Sequence, residues 1–373
     1  MPTSPLDHAR LLEALALAEG SIGLTDPNPR VGCVIGHEDG RVLGRGATQR
    51  AGEAHAEVMA LRDAAAAGHD LRGATAWVTL EPCAHHGRTP PCCDALVAAG
   101  IARVVVALGD PFPQVAGAGI ARLRAAGVQV DMADDDIATA ARELNIGFLS
   151  RVQRGRPWVR MKIAASLDGR TALANGASQW ITGPEARADG HAWRRRAGCV
   201  LTGIGTVLDD DPRLDVRLVP TALQPMRAVL DSRLRTPPGA RLLAAPGRAL
   251  VYTAADDEPA AMALRAAGAE VRRHAGPQGA VDLPAVLADL AGLGINELHV
   301  EAGARLNGAL LSAGLVDELL VYSAPLLLGH GRGMAALGPF DTLAQGLRWR
   351  YVDVQPLGAD LRSRLRVSGP PSM

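Results

Sequence analysis

The stretch TLEPCAHHGRTPPCCD, Thr79 to Asp94, carries three of the chain's five cysteines and two of its ten histidines. Eight residues separate Cys83 from Cys92, and Cys93 follows at once. A zinc knuckle spaces its cysteines by two to four residues, so the stretch raises the question of which side chains face a common point. Upstream, ATAWVTL (74–80) reads as a buried strand that runs into Glu81-Pro82-Cys83. Before it, HAEVMALRDAAAAG has helical period and stops at Gly68, so His55-Ala56-Glu57 stands at the start of a helix. Downstream, the segment from Pro90 to Gly100 reads as another helix and RVVVALG (103–109) as a strand.

Working outward from this centre, residues 6–19 form an opening helix, with Leu11, Leu12 and Leu15 at helical spacing and Gly20 at its end. VGCVIG (31–36) and RVLGRGAT (41–48) flank the turn HEDG and read as a hairpin. GIARLRAAG is a helix and VQVDM a strand. A hairpin followed by alternating helices and strands gives a three-layer α/β domain. A helix through ARELNIGFL ends near Ser150 and polar RVQRGRP follows, which puts a boundary between domains 1–150 and 151–373.

The second half reads as a different α/β domain. WVRMKIAASLDGR is a strand entering a glycine turn, PEARADGHAWRRRAG a helix, and CVLTGIGTVL, MRAVLDS and RALVYT are strands. A helix near 282–293, the strand ELHVEAG, the helix ARLNGALLSAGL and a long strand LLVYSAPLLLG follow. RWRYVDVQPL and LRSRLRV close the chain. No internal repeat relates the halves, so two activities, or one activity with a docking partner, are expected.

Composition narrows the function class. Lys+Arg and Asp+Glu both number 39 in 373 residues, so no basic surplus exists to track a phosphate backbone, and a small-molecule partner is expected rather than nucleic acid. The odd, clustered cysteines do not read as a secreted disulfide framework, and no apolar run is long enough to span a bilayer. A reduced, cytoplasmic protein is the expectation. Of the 39 basic residues 38 are Arg, and Lys162 alone is Lys.

His-x-Glu followed by Pro-Cys and a further Cys is the pattern of zinc deaminases, in which the Glu is not a ligand. Three protein ligands leave a fourth position for water, whose pKa the metal lowers toward neutrality. A carboxylate close to the metal, but not bound to it, carries protons between water, ring nitrogen and departing amine. We assign His55, Cys83 and Cys92 as ligands of one zinc ion and Glu57 as the proton carrier. Cys93 is set aside because adjacent helical residues point about 100° apart. A closed structural site of Cys83, His85, Cys92 and Cys93 leaves His55-Ala56-Glu57 without a role.

PNPRVGCVI (27–35), GEAHAEVMAL (52–61), TLEPCAHHGRTPPCCDAL (79–96) and DPFPQVAGAGI (110–120) together resemble the deaminase domain of the bifunctional riboflavin-biosynthesis deaminase/reductases. The eight-residue gap distinguishes this family from deaminases with Pro-Cys-x-x-Cys. One departure is Ala54, where the family pattern has proline. The resemblance implies removal of the ring 2-amino group of a phosphoribosylaminopyrimidine. It also implies substrate contacts from Asn28, from His85 to base or ribose, and from Arg88 to phosphate, for which a guanidinium fork is suited.

In the second half no complete Gly-x-Gly-x-x-Gly occurs, only GIG (203–205) and EAGARLNGALL (301–311). MKIAASLDGRTA, ASQWITG, GIGTVLDDDPRLDVR, VLDS, VEAGARLNGALL and LVDELLVY resemble the reductase domain of the same family, whose fold is like that of dihydrofolate reductase. By this resemblance NADPH lies along Ala164, Trp180, Thr206, Asp210, Ser232 and the segment Gly303, Ala304, Arg305, Leu306, Asn307, Gly308 and Ala309. The substrate meets Ser178, Arg194, Leu214, Arg217 and Glu301, with Arg194 and Arg217 suited to the 5′-phosphate. Lys162 and Asp210 are the candidates to supply or orient a proton as hydride reaches C1′. The resemblance also implies a homo-oligomer. The competing readings are a nucleic-acid or nucleoside deaminase with a fused accessory domain, and an inert binding module with a structural zinc.

Overall fold

The structure is a computed structural model and describes residues 3–84, 90–111 and 116–368. The chain divides into two compact units, Met1–Arg154 and Gly155–Met373.

The first unit opens with α1 (Pro5–Glu19), capped by Ser4 and Asp7 in a reciprocal capping box, with Pro5 at its first position. The hairpin β1 (Gly32–Gly36) and β2 (Val42–Ala47) follows, then α2 (Ala56–Ala66), β3 (Thr75–Val78), α3 (Cys92–Ala98), β4 (Arg103–Val106), α4 (Ala118–Ala125), β5 (Gln129–Met132), α5 (Asp135–Leu144) and α6 (Ile146–Arg154). The sheet order is β2-β1-β3-β4-β5, antiparallel up to β3 and parallel beyond it. Helix α2 lies directly on β2 because Gly44 and Gly46 present no side chain: a Cβ at either would stand 2.2 Å from a carbonyl oxygen of α2. That close approach holds the first turn of α2, and His55 and Glu57 with it, against the sheet.

Trp77, fully buried on β3, donates its indole N–H to Asp7 at 2.7 Å. Arg103 clamps the same carboxylate through two nitrogens at 2.8 and 3.0 Å. Burial alone would raise the Asp7 pKa, but hydrogen bonds from Arg103, Trp77 and Ser4 outweigh it and hold the carboxyl well below its usual range.

The second unit contains β6 (Trp158–Ser166), β7 (Arg170–Leu173), α7 (Pro184–Arg196), β8 (Cys199–Gly203), α8 (Ile204–Asp210), β9 (Met226–Leu230), α9 (Arg241–Ala244), β10 (Ala249–Thr253), α10 (Glu258–Ala266) and β11 (Ala269–Arg273). After these come α11 (Leu283–Gly292), β12 (Glu297–Val300), α12 (Ala304–Ser312), β13 (Glu318–Ala324), β14 (Gly331–Gly333), β15 (Trp349–Leu357) and β16 (Asp360–Val367). Nine strands form one sheet, ordered β11-β10-β9-β8-β12-β6-β13-β16-β15. It is parallel from β11 to β13 and antiparallel at the β13-β16-β15 edge. The parallel strands are covered on both faces, which is why β9 and β10 are buried at every position.

Two readings of the sequence change here. CVLTGIGTVL is not one strand: β8 ends at Gly203 and α8 begins at Ile204. LLVYSAPLLLG is likewise not continuous, since β13 stops at Ala324, the residue before a proline that lacks an N–H for the ladder.

One face of β6 carries charge inside this apolar frame. Arg160 is 1 % exposed and bonds Glu297 at 2.6 Å and Glu318 at 2.5 Å, with its guanidinium 4.4 Å from the Trp193 ring of α7. Arg196 and Arg366 complete the two glutamates at 2.8 Å each. Every buried charge named is thus paired, the condition for its being tolerated. Side chains alternate along a strand, so Lys162 and Ala164 follow Arg160 on the same face.

Candidate functional sites

In the first unit three segments converge. His55 is the N-cap residue of α2 and leaves that helix end without a side-chain cap. Cys83 lies in the turn after β3, and Cys92 is the first residue of α3. The His55 Nδ1 atom stands 3.3 Å from Cys92 Sγ and 3.7 Å from Cys83 Sγ, and the three atoms lie within 4.8 Å of one another. Tetrahedral zinc with ordinary Zn–S and Zn–N bonds has S···N edges of about 3.5 Å. One nitrogen and two sulfurs at these separations therefore fit zinc. Cys93 is also fully buried but belongs to the apolar core of the unit and not to the cluster.

Glu57 sits in the first turn of α2 and is 4 % exposed. Burial first, and then the negative charge on Cys83, push its carboxyl up to about 7. A buried carboxyl beside the cluster is placed to take and return a proton. Cys83 is held below the ordinary thiol range, chiefly by its hydrogen bond with Cys92, and burial is opposed further by His55. The backbone N–H of Cys92 also donates to Cys83 Sγ at 3.3 Å. Cys92 is correspondingly pushed up.

Asn28 closes a turn, its N–H donating to the Thr25 carbonyl at 2.9 Å. His85 and Arg88 lie outside the described residues.

In the second unit Arg194 of α7 grips Glu301 through two nitrogens at 2.5 and 2.9 Å, and its third nitrogen donates to the Asp215 carbonyl at 3.0 Å. Lys162 Nζ stands 4.0 Å from the same Glu301 carboxylate. Burial, with the Arg194 charge adding to it and Glu301 opposing, lowers the Lys162 pKa. Glu301 is held well below its usual value because Arg194 and Lys162 overcome the cost of burial. Arg217 is half exposed, with one nitrogen 2.7 Å from Asp215. Leu214 is buried, side chain and main chain alike, with a left-handed φ of 54°. Ser178 donates to Asp210 at 3.4 Å, and burial followed by the Asp209 charge raises Asp210.

The segment 303–309 is the first half of α12 rather than a turn. Gly303 is its exposed N-cap residue, and a Cβ there would lie 4.0 Å from Thr206 Oγ1. Exposed main-chain amides at this helix start, beside a hydroxyl from α8, fit a pyrophosphate. Asn307 and Gly308 instead face inward: Asn307 donates to the Met334 carbonyl at 2.8 Å, and a Cβ at Gly308 would stand 2.1 Å from the Ala336 carbonyl oxygen. These contacts seat α12. Leu306 packs against Gly203, while Ala304 is half-buried and Arg305 and Ala309 are exposed. Ala164 is half-buried opposite Tyr322, and Ser232 accepts from the Val281 N–H at 3.2 Å. Trp180 is 66 % exposed, with the Arg187 guanidinium 4.7 Å from its ring.

Residues passed over at the level of sequence enter both sites. His191 accepts the Arg217 N–H at 3.1 Å, and burial, then Arg194 and Arg217, lower it to about 4. His299, fully buried, is 3.2 Å from Glu301. Glu81 is buried beside the metal-site turn. Its only sequence signal was a charge at the end of an apolar strand.

A buried carboxylate beside a His-Cys-Cys cluster, joined to a dihydrofolate-reductase-like unit, defines a zinc deaminase fused to a reductase. Family models agree: residues 6–108 match the cytidine and deoxycytidylate deaminase zinc-binding region and residues 157–362 the RibD C-terminal domain. The riboflavin biosynthesis protein RibD of Escherichia coli is 46 % identical over 370 residues, covering 95 % of this chain and 98 % of that one. That of Aquifex aeolicus is 41 % identical, covering 95 % and 97 %. Acinetobacter baumannii RibD superposes with a TM-score of 0.88 at 42 % identity, covering 98 % of this chain and 99 % of that one. The Thermotoga maritima deaminase/reductase does so with 0.86 at 30 % identity, covering 97 % and 99 %. The chain belongs to the RibD family of bifunctional deaminase/reductases of riboflavin biosynthesis. Zinc serves its first unit and a nicotinamide cofactor its second. No helix among the described residues is long and apolar enough to cross a membrane.

Proposed function

We propose that the first unit hydrolyses the ring amino group of a diaminohydroxyphosphoribosylaminopyrimidine and that the second reduces the resulting 5-amino-6-(5-phosphoribosylamino)uracil with NADPH. The observation that carries the first half is the buried Glu57 beside His55 Nδ1, Cys83 Sγ and Cys92 Sγ. These three atoms would hold the zinc. Bound there, zinc supplies an activated water at neutral pH. Glu57 carries the two protons of the attacking water in turn, the first to the ring nitrogen and the second to the departing amine, so one water enters and one ammonia leaves.

For the second half, a bound nicotinamide would supply the hydride for C1′ of the ring-opened ribosyl imine, and this chain must supply the proton that completes the ribityl amine. Lys162, drawn toward neutrality by burial and tethered by Glu301, is our choice for that proton. Asp210, raised and bonded to Ser178, orients the neighbouring group. Arg217, with its exposed guanidinium, suits the 5′-phosphate better than Arg194, which Glu301 and Asp215 already engage. NADPH rather than NADH, a homo-oligomeric state and a cytoplasmic location rest on the family resemblance.

Incubating the purified protein with the diamino ribotide, first without and then with NADPH, tests both halves. Ammonia release in the first incubation and NADPH oxidation in the second are expected. Ammonia without subsequent NADPH oxidation would overturn the reductase assignment. Deamination of RNA or single-stranded DNA instead would favour a nucleic-acid editor.

A further inference from the structure

When two metal-binding cysteines are two residues apart, the short connection itself limits their separation. Here eight residues intervene, and the entropy of closing a loop grows with its length. Something besides the connection must hold the segments together. Directly between them run two hydrogen bonds, from Cys92 N–H to Cys83 Sγ and from Cys93 N–H to the Cys83 carbonyl, each 3.3 Å.

Helix α4 supplies no ligand, yet both segments are tied to it. Glu81, two residues before Cys83 and 4 % exposed, receives four main-chain N–H groups. Asp110 and Gly117 donate to its Oε2 at 3.2 and 3.0 Å, and Gly119 and Ile120 to its Oε1 at 2.9 and 3.2 Å. The backbone of α4 lies so close to this turn that a Cβ at Gly119 would stand 1.9 Å from the Pro82 carbonyl oxygen. From the same helix, Arg122 reaches the other segment. Its Nε and one terminal nitrogen each lie 2.7 Å from an oxygen of Asp94, two residues past Cys92. Its remaining nitrogen donates to the carbonyl of Ala84, the residue after Cys83, at 3.2 Å. One planar guanidinium therefore bridges the residue following the first cysteine ligand and a residue in the first turn after the second, a geometry that lysine does not reproduce.

We propose that Glu81 and Arg122 are positioning residues of the deaminase site, which lock α4 across the two cysteine segments and set the distance between Cys83 and Cys92. The inference rests on the zinc assignment above. Arg122 and Asp94 are 47 % and 39 % exposed, so their pairing adds little to global stability. Its effect falls on metal retention, because groups that orient ligands typically change metal affinity by about ten- to a hundredfold.

The test compares zinc-loaded wild type with Arg122→Ala, Arg122→Lys and Glu81→Gln. The measurements are the rate of zinc transfer to a chromogenic chelator, the melting temperature of each metal-free form, and deaminase kcat and KM. Arg122→Ala is expected to release zinc about tenfold faster, to melt like wild type when metal-free, and to lose kcat more than KM. Arg122→Lys should recover only part of the loss. If Glu81→Gln does not accumulate as folded protein, Arg122→Ala at its exposed position decides alone. Release at the wild-type rate overturns the proposal, as does faster release matched by an equally lowered metal-free melting temperature. A wild type that binds no zinc overturns the metal assignment, and this inference with it; a zinc-binding wild type whose variants match it overturns this inference alone.

Discussion

In the first unit the candidate reacting groups come from positions 55 to 92, at the N-termini of α2 and α3 and the turn after β3. In the second, Lys162, Arg194, Asp215 and Glu301 come from β6, α7, a loop and the end of β12, and meet only because those strands are neighbours in a nine-stranded sheet. The first site concentrates soft ligands and one neutralisable carboxyl around a metal position. The second balances buried charges against one another. The difference teaches how each fails: a single ligand removed empties the first, whereas the second loses one member of a network whose remaining charges must then find partners.

The sharpest way to break the comparison is at Glu57 and its neighbours. Glu57→Ala is expected to lower deaminase kcat by about a thousandfold while zinc content, measured by elemental analysis, and reductase turnover stay unchanged. Cys92→Ser should lose both zinc and deamination, whereas Cys93→Ala should keep both. Zinc loss from Cys93→Ala would redraw the ligand set.

Next in size is Lys162→Met, for which reductase turnover should fall by about a hundredfold with ammonia release intact. Lys162→Arg should not rescue it, because a guanidinium stays protonated and cannot give up its proton.

A smaller effect separates the two frames. Asp7→Ala strands the Arg103 guanidinium and the Trp77 N–H, and is expected to cost the first unit about 3 kcal/mol in denaturant unfolding. The folded carboxyl titrates below its unfolded value. Its contribution is therefore complete above about pH 4 and is lost as pH falls further.

The smallest is a pH slope in the second unit. His191 titrates near 4 when folded and near 6.5 when unfolded, so the unfolded chain binds the extra proton between these values. Stability from this group is full above about pH 6.5 and declines as pH falls toward 4. In His191→Asn the fluorescence-monitored unfolding midpoint should show a shallower slope over that window.

Local pattern carried the first site. A histidine two residues before a glutamate at a helix start, and cysteines at a strand end and a helix start, are short-range signals, and adjacent helical positions already separated Cys92 from Cys93. The α8 break went unread because GIGTVL has strand-forming residues whose helical state depends on packing. Leu306 of α12 lies against Gly203 where that helix starts. That Asn307 and Gly308 pack against Met334 and Ala336 was not legible, because sequence does not say which side of a helix start is covered. The pairing of Arg194 with Glu301 was equally invisible, since the partners are far apart in the chain.

The sequence by itself determined the two-unit α/β organisation and the zinc-deaminase class, and it nominated His55, Cys83 and Cys92 as candidate ligands, because each depends on residue type at short spacing. Tertiary structure alone decided that Arg194 neutralises Glu301 beside Lys162 and that Glu81 collects four amides of a segment ending in α4. Those contacts are set by strand order and helix packing, which bring distant residues within hydrogen-bond reach, where Coulomb and desolvation energies are large.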